Sequence, residues 1–165
     1  MAPADVKKHT VASLANVPLM KEHHGRDFYK YFFTTHPEHR RYYKGAENFN
    51  AEDVEKSERF DKLGHAILLH VHVLANTFDN EPVFRAFTGW VINSHVTRGL
   101  EPVLWKTKCY SRHTYLQEFW GYWKGFLESK GTTLSAEQKE AWDALGKLFN
   151  EEAQSQLTKR GLPHL

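Results

Sequence analysis

Apolar positions in this chain recur at helical spacing and almost nowhere alternate, so strand signals are poor from end to end. Six prolines, at 3, 18, 37, 82, 102 and 163, divide it. Between them the spacing predicts helices over 4–17, 20–35, a short one after Pro37, then 58–78, 82–96, 102–129 and 136–157. Pro82 and Pro102 each fit a first helical turn, where a missing N–H costs nothing. The run Ser135-Ala-Glu-Gln138 has the form of a capping box, the serine capping while the glutamine reaches back. With no internal repeat or low-complexity segment, the reading is a single all-α domain over residues 1–165, with about seven helices.

The helix over 58–78 resolves by angle. At ~100° per residue, Phe60, Leu63, Ile67, Val71, Leu74 and Phe78 form one apolar stripe roughly 80° wide. The stretch "DKLGHAILLHVH" also places His65, His70 and His72 close together in sequence. His65 and His72 lie nearly opposite the stripe, about 10 Å apart along the axis, and His70 sits just beyond its edge. Usable metal-ligand pairs on a helix are spaced i, i+3 or i+4, and none of these three pairs is. The expectation is two solvent-facing histidines and one boundary histidine.

His95 keeps different company. In "FRAFTGWVINSHVTRG" it shares a face with Phe84, Thr88 and Val91, close to the end of the helix. That placement on its own favours a buried histidine bonded to a carbonyl over a ligand. Gly25 and Gly64 are mid-helix glycines, each costing about 1 kcal/mol relative to alanine. Gly25 shares a face with Tyr29, Phe32 and Phe33, and Gly64 adjoins Leu63 and Ile67. A crossing of the two helices at these glycines would bring Tyr29 toward Leu63 and Ile67; the same spacing is compatible with two tolerated glycines.

Charge and cysteine usage narrow the classes. A net charge of +2 leaves no nucleic-acid footprint, and the short "HRRYYKG" is the nearest approach to a basic run. No stretch nears the length of a membrane span. The single cysteine, Cys109, rules out an intrachain disulfide and suits a reducing cytosol. The N-terminal stretch has no apolar signal region, so the expected location is cytoplasmic.

The stretches "FYKYFFTTHPEHRRYYKGAENFNAEDVEKSERFDKLGHAILL", "VFRAFTGWVINSHV", "AWDALGKLFNEEAQ" and the ending "LPHL" resemble the globins, and among them the nematode globins. The resemblance is strongest over about 24–105 and resumes near 119. It implies a globin fold of seven to eight helices around haem b, with His95 as the proximal ligand of the haem iron. The second nitrogen of His95 then needs an acceptor, either Ser94 or a carbonyl one turn earlier. The implied pocket is lined by Tyr29, Phe32, Tyr43, Leu63, Ile67, Val91 and Leu100. Tyr29 falls where many nematode globins carry a distal tyrosine. Its hydroxyl as donor to bound O2 would slow release by roughly 2- to 150-fold.

Two departures stand out. Leu63 occupies a place where globins usually have histidine or glutamine, and Tyr43 one where they usually have phenylalanine. Tyr29 is then the main expected donor, and neither His65 nor His70 is expected on the iron. Between Trp105 and Phe119 about eleven residues, near 108–118, look inserted; this is close to three helical turns, so a lengthened helix would stay in register. Cys109 and His113 in this segment are two ligands at most, too few for zinc. The implied function is O2 storage or transport, with O2 and other diatomic gases as partners and no nucleic acid or membrane. Haem-dependent NO dioxygenase or peroxidase-like chemistry, and a haem-free helical interaction module, are the competing classes. Oligomeric state is open.

Overall fold

The computed structural model describes residues 1–20, 23–97, 115–131 and 133–162. These form α1 (Pro3–Ser13), α2 (His24–Thr35), a 3-10 helix (Pro37–Tyr42), α3 (Ala51–Glu55), α4 (Glu58–Thr77), α5 (Glu81–Thr97), α6 (Tyr115–Ser129) and α7 (Ala136–Lys159). Among the described residues there is no strand. The chain is all-helical, as the periodicity predicts.

Helix ends follow local chemistry. Ser135 accepts the Gln138 N–H at 3.2 Å and Gln138 accepts the Ser135 N–H at 2.9 Å, the capping box legible in the sequence. Pro82 lies in the first turn of α5. The helix expected over 4–17 stops early, at Ser13. Pro18 disfavours helical backbone at Val17. The chain turns instead, the Val17 N–H donating to the Leu14 carbonyl at 2.9 Å, and both side chains enter the core.

α2 begins at His24 rather than 20, and residues 21 and 22 lie outside the described residues. α3 is too short for periodicity to register. Its capping box, Asn50 with Asp53, was the available signal: Asn50 Oδ1 accepts two amides and Asp53 accepts the Asn50 N–H at 2.9 Å. Of the helix expected over 102–129, the described part is α6. The apparent insertion enters it only at Tyr115–Glu118, the first turn; residues 108–114, with Cys109 and His113, lie outside the described residues.

The core is aromatic. Phe28 on α2 has the rings of Tyr29, Phe32, Phe119, Trp123 and Phe126 at 5.5–5.9 Å. Trp142 of α7 is fully buried, and its Nε1–H donates to Ser13 Oγ at 2.9 Å, joining α7 to α1. A buried tryptophan that finds an acceptor keeps its large apolar contribution without an orphaned donor.

α2 and α4 cross backbone against backbone. A Cβ placed on Gly25 would fall on the carbonyl of Gly64, and one on Gly64 would fall on the Arg26 amide and the Gly25 carbonyl carbon. Backbone is a rigid obstacle, so the helices would have to separate. Gly64→Ala is expected to lower unfolding stability by about 3 kcal/mol. In the exposed Gly121 of α6 a Cβ meets nothing within 4 Å, and Gly121→Ala should stabilise by about 0.5–1 kcal/mol. Urea midpoints of the two variants check this, and equal midpoints would refute the close crossing.

Candidate functional site

The last turn of α5 carries His95. His95 is half-buried, and its Nδ1–H donates to the Val91 carbonyl at 2.8 Å. Ser94 Oγ donates to the same carbonyl at 2.8 Å and lies 3.5 Å from Nδ1. Of the two acceptors considered for His95, the carbonyl one turn earlier is the one used. A proton held on Nδ1 leaves the lone pair on Nε2, the tautomer an imidazole needs to bind a metal through Nε2.

The turn after α2 positions Tyr43 and its neighbours. Pro37 opens the 3-10 helix, and Arg40 anchors it by donating from Nε and Nη2 to the Phe33 carbonyl, at 3.1 and 2.6 Å. The buried His39 ring stacks on Phe32, 5.5 Å between centroids and 3° from parallel, and its Nε2 lies 2.9 Å from the Tyr122 hydroxyl. Tyr122 in turn donates to Glu118 at 3.2 Å. Burial pushes the His39 imidazole below its usual range, against the pull of Glu38 and Glu118. Burial likewise raises the Tyr122 phenol, helped by Glu118.

These contacts place Tyr43 with its ring 5.1 Å from Phe33 and 5.8 Å from Tyr29, edge to face in both cases. The two tyrosines are also hydrogen-bonded to each other, and burial pushes the Tyr43 phenol up to about 12. Tyr29 is almost fully buried, against Phe33, Tyr43 and Phe60.

Phe32 and Val91 are buried in the same cluster, and Tyr43, Leu63, Ile67 and Val96 pack against it while keeping part of their surface exposed. Leu100 lies outside the described residues. A row of half-covered apolar side chains, a phenol and an imidazole with Nδ1 committed to a carbonyl suit a flat apolar group carrying a metal that takes nitrogen. The residues fit haem. The depression between α1 and the α4–α5 turn, lined by Lys7, Asn76, Asp79 and Val83 among others, contains none of them; the Lys7–Asp79 ion pair, at 3.1 Å, lines it.

The sequence reading missed His39, Arg40 and Tyr122. "HRRYYKG" registers there as a short basic run, yet its His39 and Arg40 point inward, and only the tertiary partner Tyr122 reveals this. The histidines of α4 need one correction. His65 is exposed as expected, and His70 lies edge-on to Phe87 and Trp90 at 5.7 and 5.5 Å. His72 is not solvent-facing. Its Nε2–H donates to the Val17 carbonyl at 2.9 Å, because the turn at 14–17, which was expected to be helical, lies over that face of α4.

Among the described residues no helix is long and apolar enough to cross a membrane. An all-helical domain that sets a histidine with its Nδ1 tied to its own helix and a buried tyrosine among half-covered apolar side chains is compatible with a haem pocket. The globin family model matches residues 26–153, and the chain belongs to the globin family. Its relatives include a myoglobin of Nippostrongylus brasiliensis, 57% identical over 165 residues, covering 98% of this chain and 99% of that one. A cuticular globin isoform of the same organism is 52% identical, covering 99% of this chain and 90% of the other. The solved structure of the C. elegans globin-like protein GLB-1 superposes with a TM-score of 0.86 at 41% identity, covering 100% of this chain and 99% of that one.

The half-buried His72 gives a pH signature. Desolvation outweighs the pull of the Val17 carbonyl and holds its imidazole below the ordinary value of 6.5. Below that value the unfolded chain binds a proton that the fold resists, so this contribution is intact above pH 6.5 and is lost as the pH falls. His39 acts with the same sign. His72→Gln should make the urea midpoint fall less steeply between pH 7.5 and 5.5; an unchanged slope would show that His72 is not desolvated.

Proposed function

We propose that this globin stores or carries O2 on haem b, with His95 as the iron's protein ligand and Tyr29 as the distal hydrogen-bond donor. The observation that supports it most is the His95 Nδ1–Val91 carbonyl bond, which commits the imidazole to the ligating tautomer. It is a binding protein rather than an enzyme, in keeping with its myoglobin and globin relatives.

Haem supplies a ferrous iron on which a diatomic gas binds reversibly. The rest of the work falls to the chain. His95, its ring fixed by the Val91 carbonyl, would hold the iron through Nε2. Leu63 and Ile67 would keep the ligand's surroundings apolar and restrict water. Tyr29 would offer its hydroxyl proton to the bound ligand. The bond with Tyr29 pulls the Tyr43 phenol down, so Tyr29 donates to the Tyr43 oxygen, and rotation of the Tyr29 O–H about its C–O bond would redirect that proton to a bound ligand. Leu63 brings no acid or base near the ligand, which weighs against efficient peroxidase chemistry.

The absorption spectrum of the purified chain tests this directly. We expect a Soret band that shifts on exposure of the ferrous protein to O2 and returns on its removal. In His95→Ala the spectrum of native iron–histidine coordination should be lost. Absence of a Soret band after reconstitution with haem would overturn the reading, as would native iron–histidine coordination in His95→Ala.

A further inference from the structure

The same helix crossing gathers a second set of ligands on the outside of the molecule. Asp61 and His65 are one turn apart on α4, and His23 immediately precedes α2. One ligand atom from each lies within 4.8 Å of the others. His23 Nδ1 is 2.9 Å from Asp61 Oδ1, His65 Nδ1 is 3.8 Å from Asp61 Oδ2, and the two imidazole rings meet edge-on at 6.5 Å.

We propose that His23, Asp61 and His65 form a surface site for a divalent transition-metal ion of the zinc class, separate from the haem pocket. Three arguments carry it. The i, i+4 pair on one helix with a third ligand from a neighbouring element is a pattern in which metal-binding side chains converge. Ligand atoms around a tetrahedral zinc sit about 3.3 Å apart for bonds of ~2.0 Å. The observed separations, 2.9 Å from His23 to Asp61 Oδ1 and 3.8 Å from His65 to Asp61 Oδ2, lie on either side of that spacing, so the three groups stand within reach of one ion. Finally, the crossing at Gly25 and Gly64 fixes the two elements against each other, so the site is organised before the ion arrives.

Donor chemistry sets the metal. Two imidazoles and one carboxylate favour zinc, copper or nickel over magnesium and calcium, which prefer oxygen. The His23 and His65 side chains are 54% and 62% exposed, which leaves a fourth position to water. Among the described residues the Arg26 guanidinium opposes the site, 3.8 Å from Asp61 Oδ1, and it also donates to the Glu55 carbonyl at 3.1 Å. An ion bound here would link the start of α2 to α4, and binding only to the folded chain would raise its stability.

Calorimetric titration of the purified full chain with zinc chloride at pH 7.5 tests this, with magnesium chloride as a control. We expect about one zinc per chain, no magnesium binding, and affinity at least about tenfold weaker in His65→Ala and in Asp61→Asn. Zinc should also raise the Tm of the parent protein and leave that of His65→Ala unchanged. All three side chains are at the surface, so the variants should fold, which circular dichroism verifies. Absence of zinc binding overturns the proposal. So does equal affinity in parent and His65→Ala, which places the zinc on other histidines.

Discussion

Two backbones touch where α2 meets α4, and most of what distinguishes this molecule follows from that contact. No side chain larger than hydrogen fits at Gly25 or Gly64, because the neighbour of each is main chain. Once the helices meet there, everything one turn away has a fixed address. Tyr29 lies one turn beyond Gly25 and points into the core, against Phe33, Tyr43 and Phe60. Leu63 adjoins Gly64 and packs at the edge of the same cluster. On the outer side of the crossing His23, Asp61 and His65 converge. One close approach thus sets both the placement of Tyr29 and Leu63 and the surface cluster.

The placement of His95 depends on a simpler device. α5 ends with a histidine whose ring is tied to the carbonyl one turn back, so its orientation is a property of the helix itself. The placement of Tyr43 beside Tyr29 needs more support. Arg40 on the Phe33 carbonyl, His39 on Phe32, and Tyr122 on His39 together hold the 3-10 helix that delivers Tyr43. A phenol in place of a phenyl ring would leave a buried polar group without support, and its hydrogen bond with Tyr29 answers that need.

Much of this was legible in the sequence, for identifiable reasons. Helical periodicity located α2, α4, α5 and α7 because each is long enough to repeat its apolar face. His95 stood out because a histidine on an apolar stripe is unusual, and the family resemblance turned an open choice into an expectation. Local capping chemistry read correctly at Ser135 but was overlooked at Asn50. What periodicity could not show were contacts between elements distant in sequence. His72 looked solvent-facing until the Val17 carbonyl covered it, and His65 looked solitary until His23 arrived from another element. Angle along one helix says which face a residue occupies and nothing of what the next element brings there.

The account turns on Tyr29 as a donor held in place by the crossing, and the O2 dissociation rate measures that donor directly. Stopped-flow release from Tyr29→Phe should be at least about twofold faster than from the parent globin, the effect of losing one hydrogen bond. Circular dichroism and the Soret band should meanwhile remain unchanged. An unaltered dissociation rate in a variant that folds and holds haem would contradict the account, because the distal hydroxyl would then take no part in holding the ligand.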